Sequence, residues 1–377
     1  MAVLQWNRLV GQERIKNVLG SAFENGTLGH AYLFCGDRGT GKFAAALDLA
    51  MALLCQSPDK KPCLKCPSCR KVSTYSHPDF HVLMPVVLQK EHKASDGKLT
   101  SDGWNFVSSR AAARIENPYL VEDQAGVPFV PVEWIKEVNH AIVRGSVDGG
   151  RNVAILDGVD YMNKESANAM LKTLEEPPAG TVMILLTDRI HSVLPTIISR
   201  CQILRFAYLS PEIIRAELCS RFGVQDGDPR LEAAVHGGSL GEAITTFENP
   251  PEEYYKLAVE FWNHCISGDW ETVATDIDRF GDAEDHANGE KTLNCLLHLL
   301  RFAFLDKFPG SVNYFKSKLP YRIELPDAVT PDLVQEVVRL CQDGLSALNA
   351  RGNSSLVMVN FACSLMEIFN GKEQQTC

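Results

Sequence analysis

The run Gly36-Asp37-Arg38-Gly39-Thr40-Gly41-Lys42-Phe43 constrains this chain more than any other stretch. An apolar segment, Ala31-Tyr32-Leu33-Phe34-Cys35, precedes it, and an Ala/Leu-rich segment from Ala44 to Leu54 follows. Strand, glycine loop and helix in that order let backbone N–H groups and a helix N-terminus face one anion. Gly36, Gly39 and Gly41 permit the tight turn, Thr40 lies within it, and Lys42 can reach terminal phosphates. The pattern then fails at one position. A hydroxyl should follow the lysine to reach Mg²⁺, and Phe43 offers a ring that cannot ligate a hard cation. A phosphate-binding fold is therefore expected together with impaired nucleotide chemistry.

A second apolar strand, Val153-Ala154-Ile155-Leu156, ends in Asp157-Gly158. Nucleotide hydrolases carry an aspartate to Mg²⁺ at such a strand end, with a carboxylate nearby to activate water. Asp157 is present, but Gly158 stands where the glutamate would be, and Asp160 lies too far along the turn to replace it. Asp157 also has an ordinary alternative role, capping the next turn. Another strand, Val182-Met183-Ile184-Leu185-Leu186, ends in the polar Thr187, and a last one runs through Phe206. Helices intervene at about Ile15–Ala22, Pro131–Arg144 and Lys164–Glu175. Strands alternating with helices across residues 1–207 specify a parallel α/β sheet. Past Ser210 the strand signals fade. Short helices follow to about residue 248, and residues 249–377 read as helices throughout. Apolar stripes there are expected at Leu293, Leu296, Leu297, Leu300 and Phe304, and at Leu356, Val359, Asn360, Cys363 and Met366. The tail Gly371–Cys377 is expected to fray. The fold class is thus α/β followed by all-α.

Between the phosphate-loop helix and the next strand stand Cys55, Cys63, Cys66 and Cys69. Two overlapping Cys-x-x-Cys steps and a fourth cysteine supply four soft ligands, which suits a closed tetrahedral zinc site. With no open coordination position, such a zinc is structural rather than catalytic. Unrelated buried thiols and a redox dithiol are the alternatives, and the dithiol would leave two cysteines unexplained. From Leu88 to Val127 periodicity disappears into a polar stretch, so an insertion without regular structure is expected there. Trp104, Phe106 and Tyr119 within it carry no pattern.

The whole chain has 377 residues and a formal charge of −10, with 45% hydrophobic residues. These values suit two or three ordinary globular domains and oppose a free-standing nucleic-acid binder, which usually carries a basic face. The N-terminus has neither the basic start nor the apolar core of a signal peptide, and no run reaches the length of a membrane helix, so a cytoplasmic location is expected.

Several segments together resemble the clamp-loader group of the AAA+ superfamily. They are Val10-Gly11-Gln12, His30-Ala31-Tyr32-Leu33-Phe34, the phosphate loop, the four-cysteine insertion, Asn168-Ala169-Met170-Leu171-Lys172-Thr173-Leu174-Glu175-Glu176-Pro177-Pro178 and Ser199-Arg200-Cys201. The resemblance covers residues 6–210 in order and spacing. It implies an AAA+ domain at 1–207 with its zinc module at 55–69, a helical lid at 208–248, and a helical collar used for oligomerisation at 249–377. Motor members carry Lys-Thr, Asp-Glu and a lid arginine near Gly-Ser. This chain has Lys42-Phe43, Asp157-Gly158, and Glu242 after Gly238-Ser239. That pattern resembles the delta-prime family of bacterial DNA polymerase III clamp loaders, stators that do not hydrolyse ATP.

The resemblance implies an arginine finger at Arg200, donated to a neighbouring ATPase subunit, in a hetero-oligomer that loads the sliding clamp onto primed DNA. It implies as partners the gamma/tau motor and delta subunits, the beta sliding clamp and, through the complex, primer-template DNA, with no membrane. Working ATP and Mg²⁺ are not expected at the degenerate site formed by Gly36, Gly39, Thr40, Gly41, Lys42 and Asp157, and passive nucleotide binding is left open. Two rival readings are an active ATP-hydrolysing motor of the same complex and a zinc-containing nucleic-acid binding module.

Overall fold

The structure, a computed structural model, describes residues 2–94, 98–121, 127–148, 150–226, 228–280, 286–308, 321–349 and 353–370. The expected fray at Gly371–Cys377 lies outside the described residues. By contacts the chain divides into two compact units, residues 1–224 with 237–245, and residues 225–236 with 246–377.

The first unit is built on a five-stranded parallel sheet. A two-stranded parallel pair lies outside it, β1 (Val3–Leu4) with β3 (Lys60–Lys61). The main strands are β2 (Ala31–Cys35), β4 (Phe80–Leu83), β5 (Asn152–Leu156), β6 (Thr181–Thr187) and β7 (Gln202–Arg205), in the order β4-β5-β6-β2-β7. Every residue of β2, β5 and β6 is buried. That burial is why these strands read as continuous apolar runs, since helices cover both faces of a parallel sheet. Cys35 of β2 is level with Thr187 of β6 and with Arg205 of β7, so the polar strand ends share one edge. Ligands in open parallel sheets bind at that C-terminal edge.

The helices of this unit are α1 (Glu13–Glu24), α2 (Lys42–Leu54), α3 (Pro67–Ser73), α4 (Ser101–Glu116), α5 (Val132–Arg144), α6 (Lys164–Glu175), α7 (Pro195–Ile198) and α8 (Pro211–Phe222). Helix α2 is buried along most of its length, from Lys42 to Ala52. Its alanines let the backbone approach the sheet closely.

Helix α4 corrects the expectation of an irregular insertion at 88–127. Thr100 caps it, its hydroxyl accepting from the Gly103 N–H at 3.1 Å. Gly103, Val107, Ala111 and Ile115 are buried at a spacing of four. The stripe is narrow and half of it is Gly or Ala, so it carries little hydrophobic contrast in the sequence.

In the chain that follows, α9 (Pro229–Ala234) and α10 (Leu240–Glu248) are short. The second unit then contains α11 (Glu252–Ser267), α12 (Trp270–Asp278), α13 (His286–Lys307), α14 (Pro331–Asn349) and α15 (Ser354–Asn370). Phe261, Trp262, Phe280, Leu293, Leu296, Leu300 and Phe361 are central to its core. The stripe expected on α13 is found at Leu293, Leu296 and Leu300. Of the stripe expected on α15, Val359 and Met366 pack against the core, and the remainder is out of phase. Met358, Phe361, Ala362 and Leu365 face the core, whereas Leu356 is 60% exposed and Asn360 and Cys363 are also exposed. Helix α15 is apolar on most sides, and the bulk of Phe361, stacked on Phe261, sets the phase. Among the described residues, no helix is long and apolar enough to cross a membrane.

Candidate functional site

The phosphate loop follows β2 and feeds α2 as the sequence requires. Gly39 and Gly41 have φ of 72° and 98°, conformations that glycine adopts at no steric cost. Thr40 donates from its hydroxyl to the Asp37 carbonyl at 2.7 Å, tightening the turn. Lys42 lies beneath the loop, 6% exposed. Its ammonium donates to the carbonyls of Gly36 and Asp37 at 2.7 and 2.8 Å and pairs with Asp188 at 2.6 Å. An ammonium has three protons, and three acceptors inside the chain surround this one.

Three further segments clasp the loop. Gln12 donates from its side-chain amide to the Thr40 and Ala207 carbonyls at 3.1 and 2.6 Å, joining the loop to the segment after β7. Ser239 donates to the Arg38 carbonyl at 2.7 Å, and the Gly241 N–H donates to the Gly39 carbonyl at 3.1 Å. Tyr119 accepts the Val10 N–H at 3.0 Å while lying against Gly41. Its burial raises the phenol's pKa, so it stays neutral. Glu242, which follows Gly238-Ser239, is in the first turn of α10.

Phe43 is fully buried, and the Arg114 guanidinium carbon lies 4.6 Å from its ring centroid. Arg114 also pairs through Nε with Asp157 at 3.0 Å and donates from Nη1 to the Leu120 carbonyl at 2.5 Å. Thus the two positions that would ligate a divalent cation meet an arginine from α4. Thr187, at the end of β6, donates to Asp160 at 2.9 Å, and Asp160 also accepts from Arg189 at 3.1 Å. Gly158 has φ of 69°, and a Cβ there would stand 2.5 Å from Pro85 Cγ. The space a glutamate stem would need is filled.

The cysteine cluster assembles as its spacing implied. Cys55 ends α2, Cys66 caps α3 and Cys69 sits in its first turn. The sulfurs of Cys55, Cys63, Cys66 and Cys69 all lie within 4.8 Å of one another, with Cys55 and Cys66 at 4.0 Å. Tetrahedral zinc with bonds of about 2.3 Å separates its sulfurs by roughly 3.8 Å, so this donor set could hold a metal ion. The Cys63 and Ser57 N–H groups point at the Cys55 sulfur, at 3.3 and 3.4 Å, as suits a thiolate. Backbone N–H groups of Lys65 and Cys66 pull the Cys63 thiol down to about 6, whereas burial pushes Cys55 and Cys69 up. Only a cation among them would make several thiolates compatible with that burial.

Arg200 sits just past α7, away from the phosphate loop in sequence and held by local contacts. It pairs with Glu175 at 2.6 Å and donates to the Thr196 carbonyl at 2.9 Å, leaving about a third of its side chain exposed. Glu175 is the last residue of α6, which places the Leu-Glu-Glu-Pro-Pro run beside the Ser-Arg-Cys triplet. The structure therefore gathers Gly36, Gly39, Thr40, Gly41, Lys42 and Asp157 near one edge. It adds Arg114, Asp188 and Arg189, which motif reading did not single out, and gives contacts to Gln12, Tyr119 and Asp160, which the sequence named without a role at this site. Asp188 directly follows the polar strand-end residue, which was a usable signal; Arg114 carried none.

Residues 11–210 match the family model described as DNA polymerase III, delta subunit. The chain is 29% identical over 240 residues to the DNA polymerase III subunit delta' of Bacillus subtilis, covering 63% of this chain and 60% of that one. It is 26% identical over 326 residues to the DNA polymerase III subunit delta' of Escherichia coli, covering 85% and 83%. Against the DNA polymerase III subunit tau of B. subtilis it is 27% identical over 246 residues, covering 64% and 36%. A gamma subunit-related protein from Thermotoga maritima aligns over 96% of this chain and 100% of its own, with 15% identity and a TM-score of 0.41. The matches span 60% and 64% of the lengths of the first two curated relatives, less than two thirds of each.

Proposed function

Because the chain belongs to the DNA polymerase III delta-subunit family, we propose that it is a non-hydrolysing stator of a clamp loader, a subunit that assembles with ATPase neighbours and turns over no ATP itself. Its partners on this reading are gamma/tau motor and delta subunits, and through them the beta sliding clamp and primed DNA in the cytoplasm. One observation carries the proposal: the surviving polar groups of the nucleotide site already have partners within the chain. Lys42 is held by Asp188 and two carbonyls, and Asp157 by Arg114. Phe43 supplies no hydroxyl, and Gly158 no carboxylate and no room for one.

Arg200 is the residue this stator contributes to chemistry. Its pairing with Glu175 is partly exposed, and such pairs are worth at most about 1 kcal/mol, so a γ-phosphate across an interface can take the guanidinium over. Until then Glu175 and the Thr196 carbonyl hold the fork in place. Residues 208–248 act as the lid and 249–377 as the collar. Zinc held by Cys55, Cys63, Cys66 and Cys69 ties the end of α2 to α3 and has no catalytic part. The isolated chain, freed of contaminating ATPases, should release no phosphate above background from MgATP. Sustained turnover that follows the protein through purification would overturn the stator reading and restore the motor.

A further inference from the structure

We propose that Arg114 is a built-in counter-cation of the phosphate loop, standing where a divalent cation would otherwise lie and closing the site with a segment of the same chain. The inference rests on the reading of this site as one that does not turn over ATP. In a phosphate-loop hydrolase a cation is held between the residue after the loop lysine and the strand-end aspartate. Here those positions are Phe43 and Asp157, and the guanidinium of Arg114 touches both, with its carbon 4.6 Å from the ring centroid and Nε 3.0 Å from the carboxylate.

Phe43 then has a positive reason to be aromatic. A ring face attracts a cation where a hydroxyl would need a metal. Arg114 is 15% exposed and Asp157 18%, so neither charge would be tolerated alone at that depth. The rest of the segment follows from the same anchor. Leu120 gives Arg114 its carbonyl, and Tyr119 takes the Val10 N–H. The Tyr119 carbonyl lies so close to Gly241 that a Cβ there would stand 2.6 Å away. Residues 114–121 thereby span α4, the phosphate loop and the 237–241 turn. The loop is held in shape by protein charges and needs neither nucleotide nor Mg²⁺.

The test is hydrogen exchange of the phosphate-loop peptides, residues 31–48, in the full chain with zinc present. Mg²⁺ should leave the exchange of the wild-type loop unchanged. Arg114→Ala should speed it by about tenfold or more, the loss expected for a buried charged hydrogen bond. Millimolar Mg²⁺ should then restore part of the protection, because Asp157 is left without its cation. Arg114→Lys keeps the charge but not the fork, so it should lose clearly less protection than Arg114→Gln, which should resemble the alanine variant. If Arg114→Ala does not fold, the lysine and glutamine variants decide alone. A wild-type exchange rate in Arg114→Ala overturns the proposal. So does equal damage in the lysine and glutamine variants, because charge would then be irrelevant. ATP turnover by the wild-type chain would sink the stator reading instead, whatever the exchange rates of the variants.

Discussion

Restoring the missing carboxylate by Gly158→Glu should damage the sheet-containing unit rather than revive the site. Gly158 sits at φ of 69°, a left-handed conformation that costs a residue with a Cβ about 1–2 kcal/mol. The new Cβ would also stand 2.5 and 2.9 Å from Pro85 Cγ and Cδ and 3.1 Å from Tyr161 Cδ2. Proline cannot swing aside, so the strand end must shift, and overpacking of this kind costs about 1–3 kcal/mol. Together the two effects reach about 2–5 kcal/mol, a large fraction of the 5–15 kcal/mol typical of a domain. Gly158→Ala, which carries the same Cβ, should lose nearly as much, because neither effect depends on the carboxylate. Urea unfolding followed by far-UV circular dichroism, with hydrogen exchange of peptides covering 152–161 to assign the transition, measures the loss. The double variant Phe43→Thr/Gly158→Glu should still hydrolyse no ATP. Wild-type stability in Gly158→Glu, or turnover by the double variant, would refute the steric argument.

Purified protein should contain one zinc per chain, and Cys66→Ser should lower that figure and raise hydrogen exchange over residues 55–73 while the sheet keeps its protection; zinc-free native protein with an ordered cluster would contradict this. Burial holds His81 and His298 down at about 4 against an ordinary 6.5, so unfolding takes up protons and stability falls as pH drops from 6.5 towards 4. Each histidine should remove about 2 kcal/mol between pH 7 and 5, and His81→Asn should flatten the loss in urea midpoint for the sheet unit while leaving the helical unit's slope untouched. Glu175→Gln should leave zinc content and folding intact and change clamp loading by less than about threefold, since the pair it breaks is partly exposed and holds Arg200 only until the interface forms. A loss as deep as that of an arginine finger would instead give Glu175 a direct role.

The parts of the fold legible in sequence were those whose physics is local. Strands β2, β5 and β6 are buried on both faces and read as apolar runs, and the glycine loop sits between strand and helix in the order its geometry demands. Cys55, Cys63, Cys66 and Cys69 were legible for the same reason, because ligand spacing is a property of short loops. Helix α4 was not, since its buried stripe is Gly103, Val107, Ala111 and Ile115, while Trp104, Phe106, Ala112 and Ala113 fall off that stripe among Ser, Asn, Asp, Glu and Arg. The phase of α15 was lost because an apolar helix offers several faces and only the partner ring of Phe261 selects one. At the site, motif reading located the defects but not their replacements. Arg114 meets Asp157 across 43 residues, and Lys42 meets Asp188 from another strand, pairings that belong to the topology and leave no trace in spacing.

Whether Arg200 acts in trans is measured in a clamp loader reconstituted with cognate motor and delta subunits and either wild-type chain or Arg200→Ala. An arginine supplied in trans is worth about 10³–10⁵ in phosphoryl transfer, and only the motor site next to this subunit would lose it. The variant should fold, keep its zinc and assemble, clamp loading onto primed DNA should fall by at least about a hundredfold, and total ATPase should fall less because other sites continue. Clamp loading at the wild-type rate by the assembled variant complex would contradict that role.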